Sequence, residues 1–381
     1  MKSLIQILKG GILNSVSTNN DLEIRVQCFL TFISRSSSRL SLFGGRLHPV
    51  LYALLIPIAS VLKHGVSISY VLDPSQTTPA FPTPVGEQDG TSFGLRFVAW
   101  LFGITSHGPL LVFCFMLTIL AMMLTTYVLC QVFRIGVGVA CASLFFFGPV
   151  GTVVLGEVGR HDVLTILGGI TIILGRKHLS IILFGVIIAA SGNPEQTLVS
   201  IIALALLVFG LQIKSMYAKV LIASSLATAI YAATYWYATN SGLETRSGYL
   251  ITFLNQSMRN FTEHLPIQLY AAYGLALIPI AFAIYVAKGL RTVIVFTAFL
   301  IPIVFTFVTL DQTRVAVTLG TPLLLAAILF FVPSFLDFAA TRGLNNMALW
   351  IATLAFLLPA LEIQFPGLIR APYGYLISLL A

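Results

Sequence analysis

The sequence predicts an all-α polytopic transmembrane helical bundle, and three observations carry that prediction. Hydrophobic residues make up 57% of the 381 and charged residues only 9%, where a water-soluble domain carries roughly a quarter. Mean hydropathy is +0.96, and apolar runs of about 20 residues, the length that crosses a bilayer as a helix, recur from residue 48 onward. Those runs are continuous rather than alternating, which excludes a porin-like barrel. The third observation is charge sorting along the chain, described below.

Residues 1–46 form a basic segment with Lys2, Lys9, Arg25, Arg35, Arg39 and Arg46. Leu4–Val16 and Leu22–Ile33 space their apolar residues at helical intervals and fit either interfacial helices on the cytoplasmic surface or a basic tail. Residues 47–381 read as one transmembrane domain. Spans are expected near 48–68, 108–133, 135–155, 161–175, 179–192, 196–213, 219–238, 267–287, 292–310, 315–333 and 346–363, with room for a further half-span over 364–381. That makes about eleven spans. With the N-terminus in the cytoplasm, Arg134, Arg176, Lys177, Lys214, Lys219, Lys288, Arg291 and Arg342 fall in inner loops, as the positive-inside rule requires. Most acids fall on the other side.

Two extracytoplasmic loops are expected to be long, about 69–107 and 239–266. Within the first, Ser92–Thr105 is too short to span and rich in aromatics, which suits an interfacial helix with Trp100 at headgroup depth. The formal charge of +8 reflects cations at anionic headgroups and not a nucleic-acid partner. Cys28, Cys114, Cys130 and Cys141 show no CxxC spacing, so neither a disulfide framework nor a metal ribbon is indicated. No signal-peptide pattern precedes the first span.

Ionisable residues at the ends of apolar spans are costly and invite functional hypotheses. Four groups stand out. The first loop offers Asp73, Glu87 and Asp89: a carboxylate there can act as general base toward a hydroxyl, or a pair can hold a divalent cation against phosphate, which is the one cofactor the sequence leaves open. Alternatively the acids are simply solvated. The second group, GEVGRHD, packs Glu157, Arg160, His161 and Asp162 into one turn; taken singly, Asp162 reads as a helix-start residue. The third, SGNPEQ, contains Asn193 and Glu195 and also makes a good helix start through an Asn cap followed by proline. The fourth, LDQTRV, sets Asp311, Thr313 and Arg314 between two apolar spans, with acid and arginine three residues apart on one helical face. The competing reading there is a self-neutralising ion pair. No Walker A, HExxH or nucleophile-elbow string is present.

This layout resembles the GT-C class of polytopic glycosyltransferases and related bacterial polysaccharide polymerases. The resemblance is carried by one span leading into a large outer loop, the ExD form of Glu87-Gln-Asp89, Asp73 directly after the first span, and GEVGRHD with LDQTRV. It implies transfer of a sugar from a polyprenyl-phosphate-linked donor in the membrane lipid to an acceptor on the extracytoplasmic side of a bacterial inner membrane. It assigns the catalytic carboxylate to Asp73, Asp89 or Asp162. Glu87, Glu157, Arg160, His161, Asn193, Glu195, Asp311, Thr313 and Arg314 then hold substrate, with Arg160 and Arg314 on the phosphate. The acid pair stands farther from the first span than in that class, and no C-terminal soluble domain follows. A transporter or flippase of an anionic or lipid-linked substrate, or a structural subunit of a membrane complex, is the alternative from a different class.

Overall fold

The computed structural model describes residues 48–68, 73–81, 92–241, 246–309, 311–344, 346–364 and 368–370. The N-terminal basic segment and the Glu87–Asp89 stretch lie outside them. Every apolar segment expected as a span is helical. The elements are α1 (Pro49–His64), α2 (Pro74–Ala80), α3 (Gly94–Leu101), α4 (His107–Val132), α5 (Ile135–Phe146), α6 (Pro149–Gly156), α7 (Asp162–Leu174), α8 (Leu179–Gly192), α9 (Pro194–Gly210), α10 (Tyr217–Asn240), α11 (Arg246–Tyr273), α12 (Leu277–Val286), α13 (Leu290–Phe305), α14 (Gln312–Thr341) and α15 (Met347–Leu357).

Among the described residues four helical stretches are long and apolar enough to cross a bilayer: His107–Val132, Lys214–Asn240, Ile267–Val286 and Gln312–Thr341. A fifth crossing arises if α5 and α6, which meet at a 58° bend, form one span. The bend has a sequence cause. Pro149 opens α6 with no N–H to continue the ladder, and Gly148 before it is extended. The remaining apolar helices are shorter. At 1.5 Å per residue, a helix such as α7 or α8 covers about 20 Å of a hydrocarbon core about 30 Å thick.

Three stretches differ from the sequence expectation. Residues 246–266, expected within a long loop, belong to the 28-residue helix α11. Its middle carries the exposed pair Arg259–Glu263 at 2.8 Å, within a polar stretch over 255–264 that separates it from the apolar run beginning near residue 267. Near the C-terminus, where the last expected span would end, Glu362–Gln364 and Leu368–Arg370 pair as antiparallel strands with Glu362 opposite Arg370; most of 364–381, where a half-span had room, lies outside the described residues. Ser92–Thr105 is helical only over Gly94–Leu101; Phe97 and Trp100 lie exposed on it, and Arg96 and Leu95 are buried.

α14 is the axis of the bundle, with 78% of its most apolar stretch buried against 22% for the corresponding stretch of Lys214–Asn240. It packs on α7, α9, α11, α12 and α13. Lipid tails are as apolar as leucine, so helices associate in a membrane by close packing, which small residues permit. The α7–α8 contact shows this directly. A Cβ on Gly168 would stand 2.4 Å from the Ala189 nitrogen, and one on Gly185 would stand 2.9 Å from the Gly168 carbonyl.

The two ends of α7 differ in charge. At its C-terminal end Lys219 Nζ donates to the carbonyls of Arg176 (2.8 Å) and Lys177 (2.7 Å), gathering cations that the sequence assigns to one side. At its N-terminal end lies the acid-rich turn described next.

Candidate functional site

The turn between α6 and α7 folds tightly because Gly159 adopts φ +106°, a conformation that side chains with a Cβ rarely enter. Glu157 caps α6, its amide bonding the Val153 carbonyl, and the Arg160 amide bonds back to Glu157. Val158 is pinned to the chain that follows α1: its amide donates to Ser67 at 3.1 Å, and the Ser67 amide donates to Leu155 at 2.9 Å. Asp162 then opens α7. The second contributor is the start of α14, some 150 residues on, where Asp311 caps the helix and Arg314 occupies its first turn.

These two turns join into one chain of alternating charges. Arg160 Nε lies 2.7 Å from Glu157 Oε2 and Arg160 Nη1 lies 3.2 Å from Asp311 Oδ2. Arg314 Nη2 reaches the same Asp311 oxygen at 2.9 Å, and Arg314 Nη1 reaches Asp162 Oδ2 at 3.2 Å. The order is therefore Glu157–Arg160–Asp311–Arg314–Asp162. Two guanidiniums serve three carboxylates, leaving one net negative charge when all are ionised. Burial is graded across the network. The Asp162 and Glu157 side chains are 4% and 8% exposed, whereas Arg314, Arg160 and Asp311 are 18%, 22% and 26% exposed. One side of the network is thus open, and Arg314 Nε has no hydrogen-bond acceptor.

Burial raises the Glu157 carboxyl above its ordinary value. The neighbouring Arg160 and Arg314 guanidiniums oppose that rise, and Asp311 and Asp162 add to it. Asp162 and Asp311 also favour the start of α7 and α14, where the helix dipole is positive.

The other expected site residues take different places. Thr313 is fully buried, and its hydroxyl accepts the Ile363 amide at 2.8 Å, so it holds the C-terminal hairpin against α14. His161 is buried at the start of α7, where its carbonyl accepts the amides of Leu164 and Thr165. Asn193 is the N-cap of α9, its Oδ1 accepting the Gln196 amide at 3.0 Å. Glu195, in the first turn of α9, is half-buried and has Tyr231 of α10 as an electrostatic neighbour. Asp73 is the N-cap of α2, accepting the Ser75 amide at 3.0 Å and the Ser75 hydroxyl at 2.7 Å. Those bonds hold its carboxyl below the ordinary range, with a smaller contribution from His107. The ion pairs of the network do not include Thr313, Asn193, Glu195 or Asp73, while Glu87 and Asp89 fall outside the described residues.

Two features of the site escape a reading by motif. Glu362 is 2% exposed, and its Oε2 stands 3.6 Å from where a Cβ on Gly156 would be, next to Glu157. Its signal was that it is the sole acid after Asp337. Gln312, fully buried, donates from Nε2 to the Ser257 carbonyl at 3.1 Å and thereby ties α11 to the start of α14. Among the described residues no group of three His, Cys, Asp or Glu side chains is arranged to hold a metal ion.

Comparison with protein-family models, characterised proteins and solved structures finds no match. The chain's class therefore rests on its own physics: a helical protein with, among the described residues, four or five stretches long and apolar enough to cross a membrane.

Proposed function

We propose that this protein is a multi-pass membrane transferase that moves a sugar from a polyprenyl-phosphate-linked donor to an acceptor at the extracytoplasmic face, as a GT-C-like enzyme with about eleven spans, several of them short. The observation that carries the reading is the convergence of GEVGRHD and LDQTRV, two turns distant in the chain, on one partly open network. Arginines at the rim of such a network suit bidentate capture of a phosphate. The donor's hydrocarbon tail stays among lipid while its headgroup reaches the polar end of the bundle.

In this mechanism the incoming phosphate competes with Asp311 for Arg160 and Arg314. Asp311, released from both guanidiniums, becomes the base that takes the acceptor's hydroxyl proton. The acceptor oxygen bonds to the anomeric carbon as the bond from that carbon to the phosphate oxygen breaks. The guanidiniums stabilise the departing phosphate. Asp162, more deeply buried, orients Arg314 throughout.

The test uses Arg160 and Asp311, the two most exposed members of the network. Purified protein in liposomes is given polyprenyl-phosphate sugars, and transfer is measured for wild type, Arg160→Gln and Asp311→Asn. Loss of at least about a hundredfold per folded molecule in each variant, with the folded fraction checked by melting, is expected for removal of a general base or a charge-stabilising donor. Unchanged turnover in both would remove the assignment.

A transporter or flippase is the second reading, favoured by the 58° break between α5 and α6, since broken helices line substrate sites in transporters. Movement of a labelled lipid-linked sugar across the liposome, without sugar transfer, would decide for it.

A further inference from the structure

The end of α1 reads Ser60-Val-Leu-Lys63-His64, placing three polar side chains at i, i+3 and i+4 on one helical face. That face is turned into the bundle, with Ser60 and Lys63 essentially fully buried. An arginine or lysine near the end of a span ordinarily snorkels to the interface; Lys63 points inward. Its ammonium donates to the carbonyls of Phe147 at 2.6 Å, Ala355 at 2.5 Å and Leu358 at 2.7 Å. An ammonium has three protons, so each has its own acceptor.

The acceptors identify what is being held. Phe147 follows the last residue of α5, while Ala355 lies in the last turn of α15 and Leu358 is the residue that follows it. Both helices stop after 12 and 11 residues, about half the thickness of a membrane. Their terminal carbonyls have no partner within the helix and carry the negative end of the dipole. Lys63 supplies a cation to both ends at once. Its neighbours complete the seal on α5, with Ser60 Oγ donating to the Phe146 carbonyl at 2.7 Å and His64 Nε2 lying 3.1 Å from it. His64 Nδ1 lies 3.1 Å from the Thr152 hydroxyl on α6.

One segment leaving this node leads into the charge network and the other passes beside the turn that carries it. From Pro149, α6 runs one short helix to Gly156 and delivers Glu157 and Arg160. From Leu358 the chain runs four residues to Glu362, beside Gly156, and to Ile363, bonded to Thr313. The far end of α6 is clamped by the same stretch of chain, through the Ser67 bonds and the parallel bridge between Ile68 and Val158. Residues 60–68 thus grip α6 at its beginning and its end.

We infer that Lys63 is a positioning residue for the charged site, an internal cation that fixes the ends of two half-length helices and thereby places the turn carrying Glu157 and Arg160 and the strand carrying Glu362. A corollary is chemical. The cage is built from main-chain oxygens, so with the lysine side chain removed it is a site for a small alkylammonium ion. The inference needs no substrate and stands apart from the sugar-transfer reading.

The experiment is hydrogen–deuterium exchange on Lys63→Ala in lipid nanodiscs, with methylammonium or tetramethylammonium added. Exchange in 149–162 and 355–364 is expected to rise about tenfold or more, while α9 and α13 stay as in wild type. Methylammonium, which has N–H donors, restores protection in those two segments; tetramethylammonium, which has none, does not. An equal rise across the whole bundle, or no response to methylammonium, overturns the inference. Should Lys63→Ala fail to fold, Lys63→Gln is read for the same selectivity: loss confined to the two segments supports the inference, and uniform loss overturns it. Because the readout requires no turnover, failure here leaves the transfer assay to be judged by itself.

Discussion

Two of the places where the bundle buries ionic groups meet the cost in different ways. Around Lys63 one cation faces three main-chain carbonyls, and among the described residues no carboxylate pairs with it. At the end of α6, five side chains of both signs neutralise each other in a row. The first arrangement is closed: every donor is used and the residue is 1% exposed. The second is open along one side, carries an odd acid, and leaves a guanidinium N–H without an acceptor. A cation held by main chain has partners that evolution cannot exchange and suits a fixed joint. A row of side-chain ions can trade partners, which is what capture of an incoming anion demands.

The largest effect that sharpens this contrast is on Arg314. Removing one member of a buried ion pair leaves the other as an uncompensated charge, at a cost of about 3–5 kcal/mol. Arg314→Ala should therefore lower stability in detergent by about 3 kcal/mol, less than the upper figure because Asp311 keeps Arg160. Adding Asp162→Asn to the same chain should recover much of the loss, since it removes the stranded charge. A double-mutant cycle on melting temperature measures the coupling. If the two losses simply add, Arg314 behaves as Lys63 does, with no partner whose change compensates, and the contrast fails.

The sequence displayed the two regions unequally. GEVGRHD and LDQTRV were visible because charges between apolar spans are rare and dense there, and the apolar helices, α2 and the first part of α11 apart, were legible from continuous hydrophobicity. Their convergence was not legible, because pairing between residues 151 apart in the chain depends on which helices pack against α14. Lys63 was hidden for a different reason. Its acceptors are backbone oxygens, which have no sequence signature, and a lysine at the end of a span looks like an interface anchor. The break at Gly148-Pro149 was the available hint. The first part of α11 was missed because the polar stretch over 255–264, with its Arg259–Glu263 pair, interrupts the apolar signal.

A smaller effect tests whether the network titrates. Burial raises Glu157 above its ordinary value of 4.5, so the folded state binds this proton more tightly than the unfolded chain does. Its contribution to stability is fully present below the ordinary value and is lost as pH rises through the raised one. Wild type should accordingly lose melting temperature relative to Glu157→Gln as pH climbs from about 4.5 toward neutrality. A constant difference across that window would mean that Arg160 holds Glu157 ionised throughout, making the network as rigid as the Lys63 node.

The smallest expected effect concerns Asn193, which decides where the boundary between the two kinds of region runs. It is 2% exposed and sits near the network, since the neighbouring Gly192 abuts the His161 carbonyl and Thr165 at the start of α7. Its side chain nevertheless accepts a main-chain amide at 3.0 Å as the cap of α9, a Lys63-like solution with the polarity reversed. A cap of this kind is worth about 1 kcal/mol and is replaced by aspartate or serine but not by alanine. Asn193→Ala should lower stability by about that amount, Asn193→Asp should restore it, and transfer activity should follow folded protein in both. Activity that collapses in Asn193→Asp while melting stays at the wild-type value would instead place this amide among the groups that touch substrate. The open site would then extend past α7 to the start of α9, where Glu195 lies.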